Sequence, residues 1–138
     1  MSVLLRKGIF IIMNIIKMLE NEQIKPSKPD FRPGDTLKIQ IKVVEGGKER
    51  LQLFEGVCIL RRNVGLRESF TVRKIAHGVG VERTMLINSP MLHSLEVIRC
   101  GDVRKSRLYY LRDKIGKKAR VKENKDRFLE LKKAKAKA

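Results

Sequence analysis

The chain has 138 residues, room for one small domain with extensions, and carries 32 Lys and Arg against 15 Asp and Glu, a formal net charge of +17. Such an excess repels itself in any compact state and calls for a polyanionic partner. Two scattered cysteines, Cys58 and Cys100, and two histidines give no basis for a secreted disulfide scaffold or a four-ligand zinc site, so no metal and no cofactor is expected.

Residues 1–13 form a leader in which Arg6-Lys7 precede Ile9-Phe10-Ile11-Ile12-Met13. The order resembles the basic and apolar parts of a signal peptide. The run is too short to span a bilayer, however, and no small-residue cleavage site follows, so no membrane association is expected. Residues 14–30 read as a helix and linker: Ile15, Ile16, Leu19 and Gln23 fall near helical spacing, Asn14 is placed to cap, and Pro26 and Pro29 impose an extended exit.

From Thr36 the period becomes two. Leu37, Ile39, Ile41 and Val43 alternate with Lys38, Gln40 and Lys42, the pattern of a half-buried strand. Glu45-Gly46-Gly47-Lys48 predicts a tight hairpin, and Arg50 to Arg62 the returning strand, with Gly56 as the expected bulge or bend. A loop at Asn63-Val64-Gly65-Leu66 leads to a third strand over Ser69 to Ile75. His77-Gly78-Val79-Gly80 is a turn, Val81 to Ile87 a fourth strand, and Leu95 to Ile98 a fifth after the break at Asn88-Ser89-Pro90. Five short strands joined by turns predict a mostly β fold, a small and strongly bent antiparallel barrel over residues 31–102. Ile39, Ile41, Val57, Ile59, Val72 and Val97 are its expected core. A body of this size is marginal alone, so flanking segments or a partner are expected to complete it.

Residues 103–138 form a basic arm. Residues 99–138 hold 16 Lys and Arg against 5 Asp and Glu, where the first 98 residues hold 16 against 10. Within it, Val103-Arg104-Lys105-Ser106-Arg107-Leu108-Tyr109-Tyr110-Leu111-Arg112 interleaves cations with two tyrosines, and Lys117-Lys118-Ala119-Arg120-Val121-Lys122 follows. Cations neutralise phosphates and aromatic faces stack on bases, so this pattern points to nucleic acid. Leu108 and Leu111 suit a short helix or turn, residues 117–134 a second helix, and Lys132 to Ala138 a disordered basic tail. Arg61, Arg62, Asn63 and Arg67 flank one barrel loop, and Arg73, Lys74 and Arg83 the next, where convergence would make a cationic rim. Alternation sends Arg73 and Lys74 to opposite faces.

Catalysis finds little support. His77 and His93 belong to no Cys or carboxylate unit, Ser69, Ser89 and Ser94 lack a nucleophile-elbow context, and Asp35 and Glu55 are isolated acids. Gly78-Val79-Gly80 precedes no helix and no Gly-Lys-Ser/Thr, so it is not a phosphate-binding loop. The protein is expected not to be an enzyme. The rival readings are an RNA-modifying enzyme or its accessory subunit, and an architectural DNA-binding protein.

Several segments in order, from Phe31-Arg32-Pro33-Gly34-Asp35-Thr36 through Phe54-Glu55-Gly56-Val57, Ser69-Phe70-Thr71-Val72-Arg73-Lys74-Ile75 and Gly78-Val79-Gly80-Val81-Glu82-Arg83 to the two basic runs above, make the chain resemble the bacterial large-subunit ribosomal protein L nineteen family over roughly residues 13–123. The resemblance implies an SH3-like barrel with a helical N-terminus and a basic C-terminal extension, working as part of a ribosome, in the cytoplasm or, as the alternative, in an organelle. It implies binding to large-subunit rRNA near the subunit interface, a bridge to small-subunit rRNA, and ribosomal protein L fourteen as a neighbour. Carried over by position, the RNA-facing set would be Arg32, Arg61, Arg62, Asn63, Arg67, Arg73, Lys74, Arg83, Arg104, Lys105, Arg107, Tyr109, Tyr110, Arg112, Lys117, Lys118, Arg120 and Lys122. The leader and the tail after about Lys125 depart from the family pattern, as do Asn88 and Cys100.

Overall fold

The alternation that begins at Thr36 becomes strand β1 (Thr36–Glu45), and its partner β2 runs from Lys48 to Arg62 in a computed structural model that describes residues 15–25, 30–114 and 116–137. Residues 15–23 form helix α1. The leader, the Asn14 cap and the linker prolines lie outside the described residues. Strands β3 (Ser69–Ala76), β4 (Val79–Leu86) and β5 (Leu92–Arg99) complete one antiparallel sheet in the order β4-β3-β2-β1-β5. The mostly β, barrel-like expectation holds. The hairpin turn is the two-residue kind: Glu45 pairs with Lys48, and Gly46 and Gly47 take φ of +57° and +78°, a pair of positive values that glycine adopts without strain.

One face of the sheet encloses the main core. Leu37, Ile39 and Ile41 of β1 meet Phe54 and Cys58 of β2, Phe70 and Val72 of β3, and Ile87 and Leu92 beyond, with Phe31 closing one end edge-on to Phe70 at 5.3 Å between ring centroids. Val97 packs partly buried at its margin. Val57 and Ile59, expected in the same core, belong to a second cluster on the opposite face with Leu60, Leu108 and Leu111. The basic arm is therefore one of the flanking segments that complete the core, through Leu108 and Leu111.

The predicted bulge is displaced. Gly56 pairs in register with Leu37, and the irregularity falls between Cys58 and Leu60, which face Val72 and Thr71 and leave Ile59 as the extra residue. Paired residues share a face, so the bulge reverses the alternation of β2. Cys58 faces the main core, Leu60 the outer cluster, and Arg61, opposite Phe70, faces inward again. Gly56 has another reason to be glycine. A Cβ there would lie 2.5 Å from the carbonyl oxygen of Arg73 and 2.9 Å from Val72 Cγ1. Gly56→Ala is expected to cost about 1–3 kcal/mol through forced backbone displacement, read as a lower denaturant midpoint.

The C-terminal segment departs from its prediction. Residues 116–119 make a 3-10 turn, and residues 120–124 lie extended against residues 100–102 through Asp102 N to Lys122 O (2.7 Å) and Asn124 N to Cys100 O (2.8 Å). Helix α2 starts only at Lys125, where the Arg127 amide donates to the side chain of Asn124, and runs to Lys137. The stretch expected to be a disordered tail is thus helical through Lys137. Lys, Ala, Leu and Glu are all good helix formers, and the helix is anchored at its first turn.

Candidate nucleic-acid interface

Asp35 provides that anchor. Its carboxylate is fully buried and accepts four hydrogen bonds: from the Arg32 amide (2.8 Å), the Gly101 amide (2.9 Å), and both terminal nitrogens of Arg127 (3.1 and 3.0 Å). One side chain thereby ties the entry to β1, the exit from β5 and the start of α2. A further clamp fixes the segment between them. Leu108 N donates to Ile59 O (2.9 Å), and Leu60 bridges Arg107 in antiparallel sense. The side chains of Leu108 and Leu111 then fill the outer cluster.

This docking brings part of the expected RNA-facing set together. Arg104, Lys105 and Arg107 are exposed on a fixed backbone that runs beside the end of β2, where Arg62 is also exposed. Asn63 and Arg67 continue that exposed edge, and Lys117, Lys118, Arg120 and Lys122 lie exposed further along the segment. Arg32 is exposed at the turn before β1.

Other members have partners within the chain. Arg61, turned inward by the bulge, donates to Glu68 from two nitrogens (2.9 and 2.6 Å) and to Phe31 O (2.5 Å), with its guanidinium 4.4 Å from the Phe31 ring centroid. Arg73 pairs with Glu82 across β3 and β4 at 2.9 Å, and the same carboxylate receives two bonds of 2.8 Å from Arg112. Lys74 lies over the Phe54 ring at 4.5 Å, and Arg83 donates to Gln52 at 3.2 Å. Arg73 and Lys74 do fall on opposite faces. The loop at 63–68 and the turn at His77-Gly78 lie at opposite ends of β3, so their cations do not converge on one rim.

Glu82 is held below the ordinary glutamate range, first by the hydrogen bond from Arg112 and then by the charges of Arg112 and Arg73. Its folded value is depressed, so the stability it contributes is present above the unfolded value of about 4.3 and is lost as pH falls through the folded value. Removing the carboxylate with Glu82→Gln is expected to flatten the acid limb of a stability-against-pH profile below about pH 4.5, while changing its shape little near pH 7.

Both cysteines are free and buried, and burial pushes the Cys58 thiol up to about 12 and the Cys100 thiol upward. They are packing residues, unreactive as thiolates. Among the described residues no group of three or more His, Cys, Asp or Glu is placed to hold a metal ion, and no helix is long and apolar enough to cross a membrane.

The acids that organise this surface, Asp35, Glu68 and Glu82, and the structural Arg127 were not among the expected functional residues. Asp35 had a local signal in the Pro33-Gly34-Asp35 turn, but its partner lies 92 residues away.

Comparison with known proteins bears on the same span. The model of the family described as Ribosomal protein L19 matches residues 14–124. The large ribosomal subunit protein bL19 of Clostridium novyi (strain NT) is 54% identical over 112 residues, covering 81% of this chain and 97% of that protein. The family match runs through the sheet, the clamped segment and its exposed cations, the relative is similar over nearly its whole length, and on this ground the chain belongs to the ribosomal protein L19 family.

Proposed function

We propose that the protein is a structural, non-catalytic constituent of the large ribosomal subunit that binds large-subunit rRNA through the exposed cations of its clamped C-terminal segment. The observation that carries this reading is that the exposed Arg104, Lys105 and Arg107 lie on a segment joined to β2 at Arg107 and Leu108, toward the end of β2 where Arg62 is exposed. Cations held on a folded body lose little conformational freedom when phosphates approach. The family resemblance supports the finer assignment: a place near the subunit interface, a contribution to a bridge with small-subunit rRNA, and ribosomal protein L fourteen as neighbour.

The test is retention on purified large subunits through a series of salt washes, with competition by duplex DNA and by folded rRNA fragments. Stoichiometric retention at moderate salt, displaced by rRNA fragments and not by equal DNA, is the expected result. Substoichiometric loss in the first wash would favour the accessory-enzyme reading. Equal displacement by DNA would favour the architectural one.

A further inference from the structure

Tyr109 and Tyr110 sit in the 3-10 turn Tyr109–Arg112. In such a turn residues three apart eclipse one another. Leu108 and Leu111 therefore point together into the outer cluster, where they are 0% and 5% exposed. Tyr109 falls in line with Arg112, and the guanidinium lies 4.8 Å from its ring centroid. Lys114 lies 4.9 Å from the centroid of Tyr110. Both tyrosines remain 38% and 37% exposed.

Arg112 is itself held, because Glu82 of β4 takes two bonds from it. A chain of contacts thus runs from the sheet through Glu82 and Arg112 to the ring of Tyr109. A ring fixed in this way, with a cation over it and more than a third of the residue open, loses little entropy when something planar stacks on it. Arg112, already committed to a carboxylate and a ring, is better suited to orient Tyr109 than to neutralise a phosphate.

We propose that the rings of Tyr109 and Tyr110 each stack on unpaired nucleobases, so that the protein selects RNA with an extruded or single-stranded nucleotide over a continuous duplex. The inference rests on the rRNA-binding reading above and adds its ligand class. The bases of a continuous duplex are stacked on one another and offer no free face, whereas bulges and loops do. The exposed cations of Arg104, Lys105 and Arg107 lie two to five residues before Tyr109 in the chain, ready for the flanking phosphates.

The experiment uses the full chain and two RNA hairpins of equal length and charge, one fully paired and one with a single unpaired 2-aminopurine. The expected result is tighter binding of the unpaired form with quenched 2-aminopurine emission. Tyr109→Leu/Tyr110→Leu should lose that preference by about fivefold or more, since stacking contributes about 1–3 kcal/mol per base. Its salt dependence should stay unchanged, and its unfolding midpoint should fall only slightly, through the lost contacts with Arg112 and Lys114. Tyr109→Phe/Tyr110→Phe should retain both preference and quenching. Equal binding of the two hairpins by the wild-type chain, with normal salt dependence, would overturn the stacking and leave the rRNA reading standing. No salt-dependent binding to either would overturn both. Unaltered preference in the leucine variant would assign the tyrosines to a protein contact.

Discussion

Asp35→Ala is expected to lower the unfolding free energy by about 3–5 kcal/mol, because it strands a charge that the fold has already buried. Arg127 keeps 16% of its side chain exposed and loses both acceptors, and the amides of Arg32 and Gly101 lose theirs as well. Leaving buried donors unsatisfied carries the full desolvation penalty of each. Arg127→Leu alone should also destabilise, since it abandons a carboxylate with no exposure. The double variant should lose less than the sum of the two, the signature of a coupled pair. Urea denaturation of the four proteins checks this. Additive losses would mean that Asp35 acts only through the two backbone amides.

The second large effect concerns RNA. Replacing Arg104, Lys105 and Arg107 together by alanine is expected to reduce the slope of log affinity against log salt by about 2–2.7, at 0.7–0.9 for each phosphate neutralised. Taking the electrostatic contribution as lost by 1 M salt, that is a weakening of about 10²–10³-fold at 0.1 M. Replacing Lys133, Lys135 and Lys137 should do less. Those residues ride on the last turns of α2, six to ten residues beyond the anchor at Arg127, whereas the first three lie between Val103, packed against the outer cluster, and Leu108, held by Ile59. Binding isotherms of both triple variants over a salt series decide the matter. Equal loss of slope would show that placement on the folded body contributes nothing.

Much of the sheet was legible in the residues, since β1 alternates without interruption and two glycines at its end leave few alternatives to a hairpin. Strand limits moved by a few residues at β2 and β5, where pairing across the sheet extends what local pattern suggests. The bulge at Ile59 was not legible. No glycine or proline marks it, and its cause lies on the other side of β2, where Leu108 and Leu111 require apolar partners. That one displacement also explains Arg61, which uninterrupted alternation would not have carried to the inner face. The Asp35–Arg127 pair escaped for a different reason: nothing within a local window connects residues 92 positions apart. The exposed cations of the arm were readable as RNA-facing candidates from composition. Which cations the chain keeps for itself was not, because that depends on acids brought near by tertiary pairing.

The placement of cations at the two ends of β3 bears on how a chain of net charge +17 stays folded before it meets a partner. Arg62 pairs with Ser69 at one end, and Lys74 lies five residues along the strand. At about 3.4 Å per residue this is roughly 17 Å, close to two screening lengths of about 8 Å at physiological ionic strength. Arg62 and Lys74 are therefore largely screened from one another in salt. Nearer cations are met by acids, Arg61 by Glu68 and Arg73 by Glu82, so the repulsion that would oppose folding is reduced before any polyanion binds.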